Sequence, residues 1–267
     1  MTAPRPITYL FIDGGYLKKA YSEGVSEWFE GEGGIDFSQV AGTFSANKTF
    51  YYDCLDDVRR PNESESDFDS RVRAQRSDLN KIREVRGCHI KLGHLLGSKE
   101  KNKRQKEVDV LLTVDMMAHA SRKNMDKAVL LSGDRDFKPL VEALVQMGSD
   151  VEVAADAKSV SEELSWAADS FKRLDFYQYW HWSTEPLRSK YPIPRELHNA
   201  PAPSGSGVNL LKTGSFEDVP LELYAIHNEF QIYIPSHAGR QSLAIQFNDE
   251  NRLNLYFRLR HGEITWT

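Results

Sequence analysis

Apolar positions switch between a period of two and a period of 3.6 along the first two thirds of the chain. That alternation predicts strand and helix in turn. Residues 7–12 form an apolar strand that stops at Asp13, Gly14 and Gly15 make a turn, and residues 16–22 begin a helix. Residues 48–53, aromatic and β-branched, predict a second strand. A polar loop over residues 59–66 leads to a helix over 68–85, with Phe68, Val72, Leu79 and Ile82 at helical spacing; Gly87 stops it before a third strand over 88–92. Residues 108–120 carry Val108, Val110, Leu111, Leu112, Val114, Met116 and Met117 around nearly the whole circumference, which predicts a well-buried helix. A strand over 128–131, a helix over 137–147 closed by Gly148, and a strand over 150–155 follow. A short helix over 161–168, with Ser159 or Ser161 as its cap, precedes an edge strand over 171–176.

Such alternation implies an α/β fold with a mainly parallel sheet flanked by helices and joined by right-handed crossovers. A doubly wound order sets the first strand beside the fourth, flanking the point where these folds bind ligands, so Asp13 and Asp134 are expected to meet. The pattern changes near residue 184. Pro186, Pro192, Pro194, Pro201 and Pro203, then Ser204-Gly205-Ser206-Gly207, read as a linker. Short alternating segments at 221–225, 230–234, 242–247, 253–259 and 263–267 predict a small β-rich C-terminal domain. The expected division is 1–183, a linker over 184–207, and 208–267.

Composition narrows the class. The chain has 267 residues, 40% of them hydrophobic, and only Cys54 and Cys88 as cysteines. A disulfide framework is therefore not expected, and a reducing, cytoplasmic setting is the default. No apolar run approaches the ~20 residues of a membrane helix, and the first residues lack a signal-peptide pattern. A net charge of −5 excludes a globally basic nucleic-acid surface, but the run Lys99-Glu100-Lys101-Asn102-Lys103-Arg104-Gln105-Lys106 is locally basic.

The candidate chemistry is carboxylate chemistry. Acids gathered at the C-terminal ends of strands repel one another unless a cation stands among them, and a hard divalent cation takes oxygen ligands. Asp13 and Asp134 are the leading pair. Asp136 reads as a helix cap that reaches a metal through water. Asp109 lies near a helix N-terminus, where a carboxylate also complements the dipole. Asp115, six residues on, is about 240° around the helix from Asp109 and reads as the anchor of a buried hydrogen-bond network or of a loop. Ser132 is a candidate partner for Asp13 or for a substrate phosphate. Lys103, Arg104, Lys106 and Arg135 are candidate phosphate contacts.

Three segments carry a resemblance. They are Phe11-Ile12-Asp13-Gly14-Gly15-Tyr16-Leu17, Lys106-Glu107-Val108-Asp109-Val110, and Leu130-Leu131-Ser132-Gly133-Asp134-Arg135-Asp136-Phe137-Lys138-Pro139-Leu140. Together they resemble the NYN domain family of the PIN-like nuclease superfamily. The resemblance implies carboxylates at one sheet edge that hold Mg²⁺ or Mn²⁺ and cut RNA. By motif, Asp13, Asp109, Asp134 and Asp136 match its acidic positions, and Asp115 matches a further one. Tyr16 stands where the family often has Asn. A metal-dependent ribonuclease is the expected function. The alternatives are a non-catalytic RNA-binding or regulatory module, a DNA-directed nuclease, and a phosphatase, which lacks its usual Asp-x-Asp here. For the C-terminal domain, substrate selection, homodimer formation and partner docking all remain open. Arg252, Arg258 and Arg260, with Tyr256 and Phe257, either face nucleic acid or alternate on a half-buried strand.

Overall fold

A computed structural model describes residues 5–93 and 101–267, and the side chains of residues 101–106 lie outside what it describes. The chain divides into two compact units: Met1–Glu23 with Ile35–Trp182, and Gly24–Gly34 with Ser183–Thr267.

The first unit alternates as its apolar pattern requires. Its elements are β1 (Thr8–Asp13), α1 (Gly14–Val25), α2 (Phe37–Thr43), β2 (Lys48–Cys54), α3 (Glu65–Glu84), β3 (Cys88–Gly93) and α4 (Lys101–Ser121). There follow β4 (Lys127–Leu131), a 3₁₀ turn (Arg135–Phe137), α5 (Lys138–Gln146), β5 (Asp150–Asp156), α6 (Glu162–Ala167), β6 (Ser170–Leu174) and α7 (Phe176–His181). The six strands are parallel in the order β3-β2-β1-β4-β5-β6, so β1 and β4 pair at the reversal of strand order. Strands buried on both faces read as continuous apolar runs, and all six residues of β1 are buried.

Alternate residues serve the two faces. Tyr9, Phe11, Phe50 and Tyr52 join Leu112, Met116, Val141 and Leu144 in one core cluster. On the other face Tyr51 meets Phe37, with ring centroids 5.3 Å apart. The expectation for residues 108–120 needs correction. Helix α4 buries one i, i+4 row, Val108, Leu112, Met116 and Ala120, while Val110 and Val114 are 62% and 56% exposed. One sheet face covers only one stripe of a helix, whatever the rest of its circumference carries. Helix α2, capped by Asp36, was not foreseen, and residue 176 begins α7 instead of ending a strand.

The second unit carries α8 (Glu185–Lys190), β7 (Arg195–His198), β8 (Val208–Phe216), β9 (Val219–Ile226), β10 (Glu229–Ile234), β11 (Leu243–Phe247), α9 (Glu250–Arg260) and β12 (Thr265–Trp266). Its strands form an antiparallel sheet, β12-β8-β9-β10-β11-β7. Two expectations fail here. The stretch read as a linker contains α8, whose first turn accommodates Pro186, and β7, which pairs with β11. Residues 253–259 are helical, not a strand. Asp249 caps α9, and Leu253, Tyr256 and Phe257 are buried at i, i+3, i+4 spacing.

Arg252 and Arg258 serve the unit's own packing. The Arg252 guanidinium lies 4.2 Å from the Trp28 ring centroid and donates to the Trp28 carbonyl. Arg258 pairs with Glu27. Trp28 and Phe29, from the segment after α1, are fully buried in this unit beside Tyr256 and Tyr191 respectively.

Gly14 fixes how closely α1 starts against β2. A Cβ there would stand 2.6 Å from the Tyr51 ring and 2.6 Å from the Tyr52 carbonyl oxygen, and a backbone atom cannot turn aside. Gly14→Ala is expected to cost about 1–3 kcal/mol of stability, as overpacking of a dense interior does; urea unfolding followed by circular dichroism measures it.

Candidate functional site

The pairing of β1 with β4 carries the predicted consequence: the chain ends of the two strands put Asp13 and Asp134 at one edge of the sheet. Asp13 is 6% exposed. Its Oδ1 accepts the Tyr16 N–H at 3.0 Å, which is the bond a helix cap makes to α1. Its Oδ2 accepts the Ser132 hydroxyl at 3.1 Å. The same Ser132 oxygen accepts the Asp134 N–H at 3.2 Å. One fully buried hydroxyl thus ties both acids together, and its only proton goes to Asp13.

Asp134 also caps. Its Oδ1 accepts the Asp136 N–H at 3.0 Å and starts the 3₁₀ turn. The expectation that Asp136 is the cap is therefore corrected: Asp136 lies inside the turn and is exposed. Asp109, half-buried on the first described side-chain turns of α4, completes the group.

Electrostatics bind the four acids into one set. Burial pushes the Asp13 carboxyl above its ordinary value, opposed by its bonds to Tyr16 and Ser132 and reinforced by Asp134. Asp109 is pushed up to about 6, first by burial and then by the charges of Asp13, Asp134 and Asp136. Among the described residues, no three His, Cys, Asp or Glu side chains stand in ready metal-holding geometry. The donor chemistry nevertheless fits a hard divalent cation: the donors are all carboxylate oxygens, partly desolvated and mutually repelling. Asp13, Asp109, Asp134 and Asp136 are the residues that would hold it.

Tyr16 lies across this edge. Its phenol oxygen accepts the Asp156 N–H at 2.8 Å and stands 3.0 Å from Ser159 Oγ. Its ring packs against Gly133, where a Cβ would stand 2.8 Å from Tyr16 Cε2. A cavity of about 220 Å³ opens beside it, lined by Asp13, Tyr16, Lys19, Glu23, Asp134 and Ser159 among others.

The other expected residues fall elsewhere. Asp115 accepts the Tyr52 hydroxyl at 3.0 Å and pairs with Lys91 at 3.5 Å, the network anchor the helix geometry predicted. Ser132 is too deeply buried to reach a substrate phosphate. Arg135 is exposed and pairs with Glu163 at 3.0 Å. The side chains of Lys103, Arg104 and Lys106, and the start of the basic run at Lys99, lie outside the described residues. Sequence reasoning missed the buried Asp53, which accepts the Tyr51 hydroxyl at 3.0 Å and pairs with Lys18. It also missed Asp156 and Ser159 as supports of Tyr16. For Asp53 and Asp156 the available signal was the one that marked Asp13, an acid at the end of an apolar strand.

The NYN domain family model matches residues 8–175. A solved structure of a protein of unknown function from Vibrio parahaemolyticus RIMD 2210633 is 19% identical, with a TM-score of 0.48, over 69% of this chain and 99% of that chain. No curated protein matches the chain.

The raised Asp109 carboxyl has a consequence for stability. Between about pH 4 and about pH 6 the folded state keeps a proton that the unfolded chain has released, so stability falls as the pH rises through that window. Asp109→Asn removes this loss. In EDTA at about pH 8 the variant is expected to be more stable than the wild type by on the order of 1 kcal/mol, allowing for solvent screening, and near about pH 4 the two are expected to converge. Melting curves at both pH values test it.

Proposed function

The chain belongs to the NYN domain family, within the PIN-like nuclease superfamily, and from that premise we propose that it is a metal-dependent ribonuclease. Nucleases of this superfamily typically use divalent metals. The observation that carries the reading is the gathering of Asp13 and Asp134 around Ser132 at the strand-order reversal, with the carboxyls of Asp13 and Asp109 both raised by burial and by neighbouring acids. Carboxylates arranged to raise one another's proton affinity in a cleft mark a functional site.

A bound Mg²⁺ or Mn²⁺ would supply the positive charge that polarises a phosphodiester and lowers the pKa of an attacking water. The chain's own residues do the rest. The Ser132 hydroxyl orients the Asp13 carboxylate and accepts the Asp134 backbone N–H, while the Asp134 carboxylate is oriented by the Asp136 N–H. Asp109 and Asp136 add negative charge on the open side. The cavity beside Tyr16 accommodates the nucleotide next to the scissile bond. Attack by water, and not by the ribose 2′-hydroxyl, leaves a 5′-phosphate and a 3′-hydroxyl.

A second reading, a non-catalytic RNA-binding module, draws on Tyr16. At the position where the family often has Asn, the Tyr16 phenol is committed to Asp156 and Ser159 and offers Asp13 only its backbone N–H. RNA binding that persists in EDTA, with no cutting in any metal, would favour it.

End-labelled single-stranded RNA in Mg²⁺, Mn²⁺ and EDTA separates the two. Metal-dependent cutting is expected, with Asp13→Asn and Asp134→Asn each lowering kcat/KM by more than about 100-fold while circular dichroism shows intact folds. Products ending in 2′,3′-cyclic phosphate would exclude this mechanism. Ser132→Ala is expected to lose roughly 10- to 100-fold, the range for a partner that orients a ligand.

A further inference from the structure

Trp166 is 76% exposed, the most exposed large apolar side chain among the described residues. An indole normally buries most of its large surface, so one left in water is unusual. No aromatic ring or cation lies against it among the described residues. It is not at a remote place. Trp166 lies three residues beyond Glu163 on α6, so the two are neighbours on one helix face. Glu163 in turn holds Arg135, the residue between Asp134 and Asp136.

The chain leading into α6 starts at the same site. Ser159 lines the cavity beside Asp13 and Asp134, and Ser161 caps α6 by accepting the Leu164 N–H. Through Ser159 and the Arg135–Glu163 pair, the helix that carries Trp166 is thus tied to the cavity and to the segment that holds Asp134 and Asp136.

From this we propose that Trp166 is a stacking platform for a base of a single-stranded nucleic acid, whose backbone passes Arg135 on its way to the carboxylates. The proposal rests on the nuclease reading for its substrate and deepens it by naming the strand state. Three features favour a base over other occupants. An indole face accepts any base, and stacking needs the base unpaired. The Arg135–Glu163 pair is solvent-exposed, with 69% and 46% of the two side chains accessible, so it holds the guanidinium only weakly. A phosphate can then take Arg135 as its partner at small cost. Finally, Glu162 and Glu163 stand in the first turn of the same short helix as Trp166, and their charge favours the uncharged base over a phosphate as the group at the ring.

The test uses the full chain in EDTA, where cutting is suppressed. Fluorescence anisotropy measures binding of a labelled single-stranded RNA and of the same sequence as a duplex. Trp166→Ala is expected to weaken single-strand binding by roughly 5- to 150-fold, the loss of one stacked base. Trp166→Phe is expected to keep most of the affinity, and duplex binding is expected to be unchanged by either. Wild-type affinity in Trp166→Ala, equal losses for single strand and duplex, or no RNA binding by the wild type would each overturn the proposal. So would a wild-type dimer that Trp166→Ala converts to monomer with RNA binding intact, because Trp166 would then serve a second protein chain. Cleavage by the same preparations keeps the two readings apart. Metal-dependent cutting with no effect of Trp166 on binding would sink the platform alone. Trp166-dependent single-strand binding without cutting would sustain the platform and sink the nuclease reading.

Discussion

Two carboxylates at the ends of adjacent parallel strands repel each other, and the first unit is organised around holding them together nonetheless. The pairing of β1 with β4 brings Asp13 and Asp134 to the same edge, and burial makes the Asp13 charge costlier still. The buried Ser132 hydroxyl offsets part of that cost by donating to one acid and accepting from the backbone of the other. Gly14 and Gly133 keep room for this arrangement. One lets α1 start hard against β2, and the other lets the Tyr16 ring lie beside Asp134.

The acids do structural work at the same positions. Asp13 caps α1 and Asp134 caps the 3₁₀ turn, so each satisfies backbone N–H groups that the helix starts would otherwise leave open. An ionised carboxylate has about four lone-pair sites, so a cap bond leaves others for a metal, and both roles favour the same ionised state. A capping role is therefore no argument against a chemical one. Tyr16 joins the two levels: its backbone donates to Asp13 while its phenol anchors the end of β5. A family position often filled by an amide is used here for support.

Much of the fold was legible because parallel strands are buried on both faces. Continuous apolar runs such as residues 7–12 leave little choice of state, and the turn glycines and Ser161 mark boundaries locally. Where two periods coexist, the pattern could not decide. Residues 253–259 alternate as a strand does, yet Leu253, Tyr256 and Phe257 also satisfy helical spacing. The Asp249 cap and packing against β10 and β11 settle the matter. The prolines of residues 184–207 pointed to a linker because their composition says nothing about β7's pairing partner, which lies 45 to 51 residues further on in β11.

By itself the sequence determined the order of the first unit's six strands and that Asp13 and Asp134 follow two of them, and hence that these two acids meet. Those are consequences of local periodicity and of the handedness of parallel crossovers. Only the tertiary structure decided how each acid is held, that Ser132 faces inward and Asp115 belongs to Tyr52 and Lys91, and that Trp166 stands open to water. Burial and hydrogen-bond partners depend on residues more than a hundred positions away, as Ser132 is from Asp13, and no local pattern encodes a contact across that distance.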